Sequence, residues 1–95
     1  MLLERTGPVE RGLLRAAELA DPRPAAGEVV VEVDACGVCR TDLHIAEGEV
    51  EARLPIVPGH QVAGRIVEVG AGGGRFRAGE AVGVGWLSRT CGQCP

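Results

Sequence analysis

A mainly β domain with one short helix is what this sequence predicts, on three observations. Residues 28–35, EVVVEVDA, form a β-branched run in which Val29, Val31, Val33 and Ala35 fall on one face. Fifteen glycines and six prolines cut the chain into short segments joined by turns. Residues 41–47 have helix-forming composition, and Gly48 follows as a stop. Strands joined by turns with one short helix place the chain in the mainly β class, and 95 residues suffice for one domain but not two.

Residues 1–20 are ambiguous. Leu13, Leu14, Ala16, Ala17 and Leu19 favour helix, whereas Gly7-Pro8, Gly12 and the Pro22-Arg23-Pro24 stretch leave pieces too short for a good one. Residues 21–27 read as a loop. Glu28–Ala35 is the cleanest strand, and its end delivers Cys36 to Cys39 out of the sheet. A helix follows over Thr41–Glu47, with Thr41 as N-cap, Gly48 as stop, and Leu43 and Ala46 facing inward. From Gly48 to Gly59 the chain is a loop stiffened by Pro55 and Pro58. Gln61–Val69 is a second strand, expected to be covered on both faces, and Gly70–Gly74 is a turn. Ala81–Trp86 is a third strand, with Val82, Val84 and Trp86 on one face and Gly83 and Gly85 on the other.

Hydrophobic residues make up 45% of the chain, so its core is built from Val, Leu, Ile and Ala around one Phe and one Trp. The net charge of −3 and the scatter of ten basic residues, all Arg, argue against a nucleic-acid partner. Glu4 and Arg5 interrupt the N-terminus before any signal-peptide core, and no run approaches the ~20 apolar residues of a membrane span. A cytoplasmic location follows as the expectation, and there four cysteines read as metal ligands or free thiols rather than disulfides.

The chemistry concentrates in GVCRTDLH, residues 37–44, and PGHQVAG, residues 58–64. The first carries the Cys39 thiol, Thr41 hydroxyl, Asp42 carboxylate and His44 imidazole; the second brings His60 in a glycine-flanked turn. Thiolate plus imidazole is a zinc-type ligand set, and a hydroxyl beside a spare imidazole is a proton path. A rival reading pairs Cys36-x-x-Cys39 with Cys91-x-x-Cys94 as a four-cysteine zinc module, although their separation exceeds the ~15–20 residues usual for that class.

These two motifs, followed in order by GVGWLSRTCGQC at 83–94, resemble the N-terminal part of the zinc-dependent medium-chain alcohol dehydrogenases. The resemblance implies a GroES-like, partly open β-barrel, with short extended segments over residues 1–20. It implies that Cys39 and His60 are two catalytic-zinc ligands, a third having no counterpart here, and that Cys91 and Cys94 are the first two of four structural-zinc ligands. Asp42 is implied to orient the ligating histidine, and Gln61 stands where a Glu is commoner. Thr41 and His44 are implied to relay the alcohol proton outward through the cofactor ribose. Arg40 is implied to contact the cofactor pyrophosphate, and Trp86 to wall a pocket for small alcohols opposite Thr41. The residues alone leave other readings open: a helix-start aspartate at 42, surface positions for Arg40 and His44, and a core anchor at Trp86.

The segment GAGGGR at 70–75 fails the G-x-G-x-x-G pattern, and a Walker motif is impossible without Lys. The expectation is therefore an incomplete GroES-like domain over residues 1–95, with the NAD- or NADP-binding domain absent and no activity by itself. In full-length form the resemblance implies a homo-oligomeric oxidoreductase acting on a small alcohol. The alternative is a GroES-like binding or scaffold module without chemistry.

Overall fold

The computed structural model describes residues 1–87 and 89–95. Its elements are β1 (Leu2–Leu3), a single 3-10 turn (Val9–Arg11), β2 (Leu14–Arg15), β3 (Val29–Cys36), α1 (Arg40–Glu47), β4 (Val62–Val69) and β5 (Ala81–Val84). The strands make two small antiparallel sheets rather than a closed barrel, one ordered β1-β2 and the other β3-β4-β5. The mainly β class with one helix is thus observed. The chain divides into two compact units, Met1–Asp21 with Val38–Gly59, and Pro22–Gly37 with His60–Pro95.

The first unit is built around a small apolar cluster. Leu3 is fully buried and meets Ile45 and Ala46 of α1, with Val9, Leu13, Val50, Ala52 and Ile56 packed around them. Leu3 and Ile56 exchange both backbone hydrogen bonds, at 2.8 and 2.9 Å, and the Gly7 N–H donates to the Ala46 carbonyl at 2.9 Å. These bonds tie the extended N-terminal pieces and the proline-stiffened loop to the helix, so segments too short to be stable alone are held by shared packing. An exposed pair, Arg15 and Glu4, joins the strand ends at 2.8 Å.

The second unit is a three-stranded sheet with β4 in the centre. Val33 pairs with Gly64 and Cys36 with Val62, and Val62 pairs onward with Val84. A Cβ at Gly64 would run into the Glu32 carbonyl oxygen, so only glycine lets the two backbones pair there. Ile66 is the fully buried side chain of this unit.

Five local expectations are corrected. Cys39, not Thr41, is the N-cap of α1, because the Asp42 carboxylate reaches back to the Cys39 N–H at 2.9 Å and starts the helix one residue earlier. Ile45 and Ala46 form the buried stripe of that helix, and Leu43 is exposed. In β3 the pairing slips between Val30 and Val31 and again between Val33 and Ala35. Each slip changes the phase of the pleat, so the strict two-face alternation is lost, and Val33 is exposed while Val29, Val30 and Val31 are half-buried. Strand β4 is covered on one face only: Gly64 and Ile66 are buried, while Ala63, Arg65 and Val67 are exposed. The third strand ends at Val84, two residues short of Trp86.

Candidate functional site

In the first unit, α1 gathers most of the chemistry. Cys39 caps its N-terminus in extended conformation, and the Asp42 N–H donates to the Cys39 carbonyl at 3.0 Å while Asp42 Oδ2 accepts the Cys39 N–H. The thiol therefore sits at the N-terminal end of the helix. The Thr41 hydroxyl lies 3.7 Å from the Cys39 sulfur. His44 is half-buried one turn further on, while Arg40 is exposed on the first helical residue.

A contact that sequence reasoning missed completes this group: His44 Nδ1 lies 2.5 Å from Glu49 Oε2. The signal available was weak, an acid just past a helix-ending glycine. Gly48 closes α1 with φ +82°, and the Glu49 N–H then returns to the His44 carbonyl at 2.8 Å.

In the second unit, half-buried His60 stands before β4. Its ring meets Trp86 edge to face, with centroids 4.7 Å apart. Trp86 is 57% exposed, which rules out its reading as a core anchor. The Gly37 N–H donates to the Gln61 carbonyl at 2.9 Å, and a Cβ at Gly37 would crowd the Gln61 side chain at 2.6 Å. Cys36 ends β3 as an exposed thiol.

Cys91 and Cys94 stand with their sulfurs 3.1 Å apart in a tight exposed turn. The Cys94 thiol and the backbone N–H groups of Gln93 and Cys94 all donate to the Cys91 sulfur, lowering its pKa to about 7. Such a turn presents a ready thiolate, which suits a soft metal or an electrophile. Among the described residues no group of three or more His, Cys, Asp or Glu side chains is assembled to hold a metal ion.

The comparisons with known proteins give these residues a family. The model of the alcohol dehydrogenase GroES-like domain matches residues 25–95, so the chain belongs to that family of oxidoreductase domains. It is 47% identical over 98 residues to the Probable alcohol dehydrogenase AdhA of Mycobacterium tuberculosis, covering 97% of this chain and 28% of that protein. Among solved structures it is similar to a cinnamyl alcohol dehydrogenase from Sorghum bicolor, with TM-score 0.78 and 35% identity over 98% of this chain and 26% of that one. The structure of CAD from Helicobacter pylori, complexed with NADP(H), matches at TM-score 0.63 and 40% identity over 70% of this chain and 19% of the other. The chain spans about a quarter of the length of the curated relatives it matches. No helix among the described residues is long and apolar enough to cross a membrane.

Proposed function

We propose that this chain supplies the metal-binding and proton-handling part of a zinc-dependent alcohol dehydrogenase that passes hydride from a small alcohol to NAD or NADP. The observation that carries the reading is the cap of α1, which sets the Cys39 thiol, the Thr41 hydroxyl and the His44 imidazole along one turn of helix. The donor set suits zinc: a helix-capping thiol in Cys39 and an imidazole in His60, with Asp42 helping to orient the ligands. When bound, the metal polarises the alcohol oxygen and eases loss of its proton.

The chain's own residues handle that proton. Thr41 accepts it at its hydroxyl oxygen and gives up its own, and His44 carries it on toward solvent by way of the cofactor ribose. Arg40, exposed at the helix start, supplies a fixed cation for the cofactor pyrophosphate. Trp86, standing against His60, narrows the pocket to small alcohols. Gln61 keeps the position beside His60 neutral. Cys91 and Cys94 are two ligands of a structural zinc, their turn already holding both sulfurs on one side.

The dinucleotide site lies outside residues 1–95 in this reading, so the chain by itself turns over no alcohol. Assembly of the whole enzyme as a homo-oligomer and its action in the cytoplasm belong to the same reading and rest on the family resemblance alone.

The test is zinc content and NAD(P)-dependent alcohol oxidation in the native gene product. Cys39→Ala and His60→Ala are each expected to remove the catalytic zinc and all measurable turnover. Undiminished activity in either variant refutes the assignment.

A further inference from the structure

Cys91 and Cys94 are free thiols, both exposed, with their sulfurs 3.1 Å apart. A disulfide closes at about 2.05 Å, so about 1 Å of approach separates the pair from a bond. The backbone sets up that approach. The N–H groups of Gln93 and Cys94 donate to the Cys91 sulfur at 3.4 and 3.2 Å, which curls the chain around it. Gly92 makes the curl with φ +68°, a conformation in which a side chain is strained. Nothing lies within 4 Å of the Cβ position at Gly92, so the glycine serves the turn and not a crowded neighbour.

A bridge from Cys91 to Cys94 closes a very short loop, and the chain entropy removed by so short a loop is small. Exposed bridges are also the readily reduced class. The turn therefore brings the sulfurs together without trapping them as a permanent crosslink.

We propose that Cys91 and Cys94 form a reversible dithiol–disulfide pair, oxidised by a hydroperoxide, whose bridged state cannot take zinc. The zinc half of this proposal rests on the pair being structural-zinc ligands. In the first step the Cys91 sulfur attacks one peroxide oxygen: an S–O bond forms, the O–O bond breaks and water leaves. The Cys94 sulfur then attacks the Cys91 sulfur; the S–S bond forms, the S–O bond breaks and a second water leaves. Two electrons pass from the sulfurs to the peroxide, and both thiol protons end in water. Cys91 leads because two backbone N–H groups converge on its sulfur. Zinc takes sulfur as the deprotonated thiol, which a disulfide no longer offers, so metal and bridge are alternative states of one turn.

Trypsin cleaves after Arg40 and Arg89, so Cys36 and Cys39 leave in one peptide and Cys91 and Cys94 in another, residues 90–95. The zinc-free 95-residue chain is treated with equimolar hydrogen peroxide, alkylated and digested. Peptide 90–95 is expected to emerge unalkylated and about 2 Da lighter, and dithiothreitol to restore it. Because its partner sulfur is already in place, the bridge is expected to form about 10-fold faster than Cys36 or Cys39 is oxidised. In Cys94→Ser the oxidised Cys91 is expected to persist as a sulfenic acid that dimedone captures. Equal loss of alkylation from the two peptides overturns the proposal. So does a peptide 90–95 that still takes two alkyl groups, or one in which Cys91 is overoxidised beside an alkylated Cys94.

In the native gene product, peroxide is expected to release one zinc per chain, read with a chelating dye, in step with the bridge; dithiothreitol and added zinc reverse both. Zinc retained beside a completed bridge overturns the exclusion. If Cys91→Ser binds as much zinc as the unaltered protein, the structural-zinc assignment fails and the exclusion falls with it. The bridge in the metal-free chain is read separately, so failure of the zinc assignment and failure of the dithiol pair are told apart.

Discussion

The two units of the chain hold their functional side chains by different physical means. In the first, a fully buried Leu3 packs with Ile45 and Ala46, and the site residues ride on a helix seated by that packing. In the second, Ile66 alone is buried among the large side chains of the described residues, and His60 and Trp86 flank strands aligned by backbone pairing. Its apolar side chains line an open groove of about 890 Å³, which includes Val29, Val31, Val62, Phe76 and Val84. Side-chain packing secures the thiol and proton-handling residues, and backbone register secures the imidazole and indole. The lesson is that a core substitution damages one unit and a backbone substitution the other.

The largest effect that would sharpen this contrast is expected from Gly64→Ala. Its Cβ would meet the Glu32 carbonyl oxygen and crowd Val31 at 2.8 Å, so the β3–β4 pairing has to open. A loss of about 3 kcal/mol or more is expected in urea unfolding. A small loss would show that register is not what holds the second unit.

Next comes a pair that could break the comparison. Leu3→Ala empties a fully buried site and is expected to cost about 2–5 kcal/mol. Val67→Ala, at a position 48% exposed, is expected to change stability by no more than about 0.5 kcal/mol. Equal costs for the two would erase the distinction between a packed unit and a paired one.

The smallest effect concerns reactivity rather than stability. Donors around the Cys91 sulfur bring its pKa to about 7, so alkylation of Cys91 is expected to reach half its maximal rate near that pH and to fade as the thiol protonates below it. Cys94→Ala removes the strongest of those donors and is expected to move the midpoint toward the ordinary thiol value of ~8.5. A profile unmoved by Cys94→Ala would show that the turn, and not the thiol pair, tunes the sulfur.

Part of this molecule is legible in its residues alone. The β-branched run before Cys36 announces a strand, Gly48 announces the end of a helix, and the order of Cys39, His60 and the Cys91–Cys94 pair carries the family resemblance that the domain match at residues 25–95 agrees with. These are local signals, and local sterics or fixed spacing express them directly.

Other features depend on partners distant in sequence or on competition between neighbours. The cap falls at Cys39 instead of Thr41 because the Asp42 carboxylate three residues on accepts the Cys39 N–H while the Asp42 N–H bonds the Cys39 carbonyl. The faces of β3 blur because two slips in pairing with β4 change the pleat's phase, and a strand's own alternation cannot encode its partner's register. Trp86 meets His60 across 26 residues of chain, and Glu49 folds back on His44 only because Gly48 reverses the backbone.

By itself, then, the sequence determined the fold class, the helix stop and the identity of the chemical groups. Only the tertiary structure decided which groups touch, because contact depends on turns and strand register that many residues set together and no single motif contains.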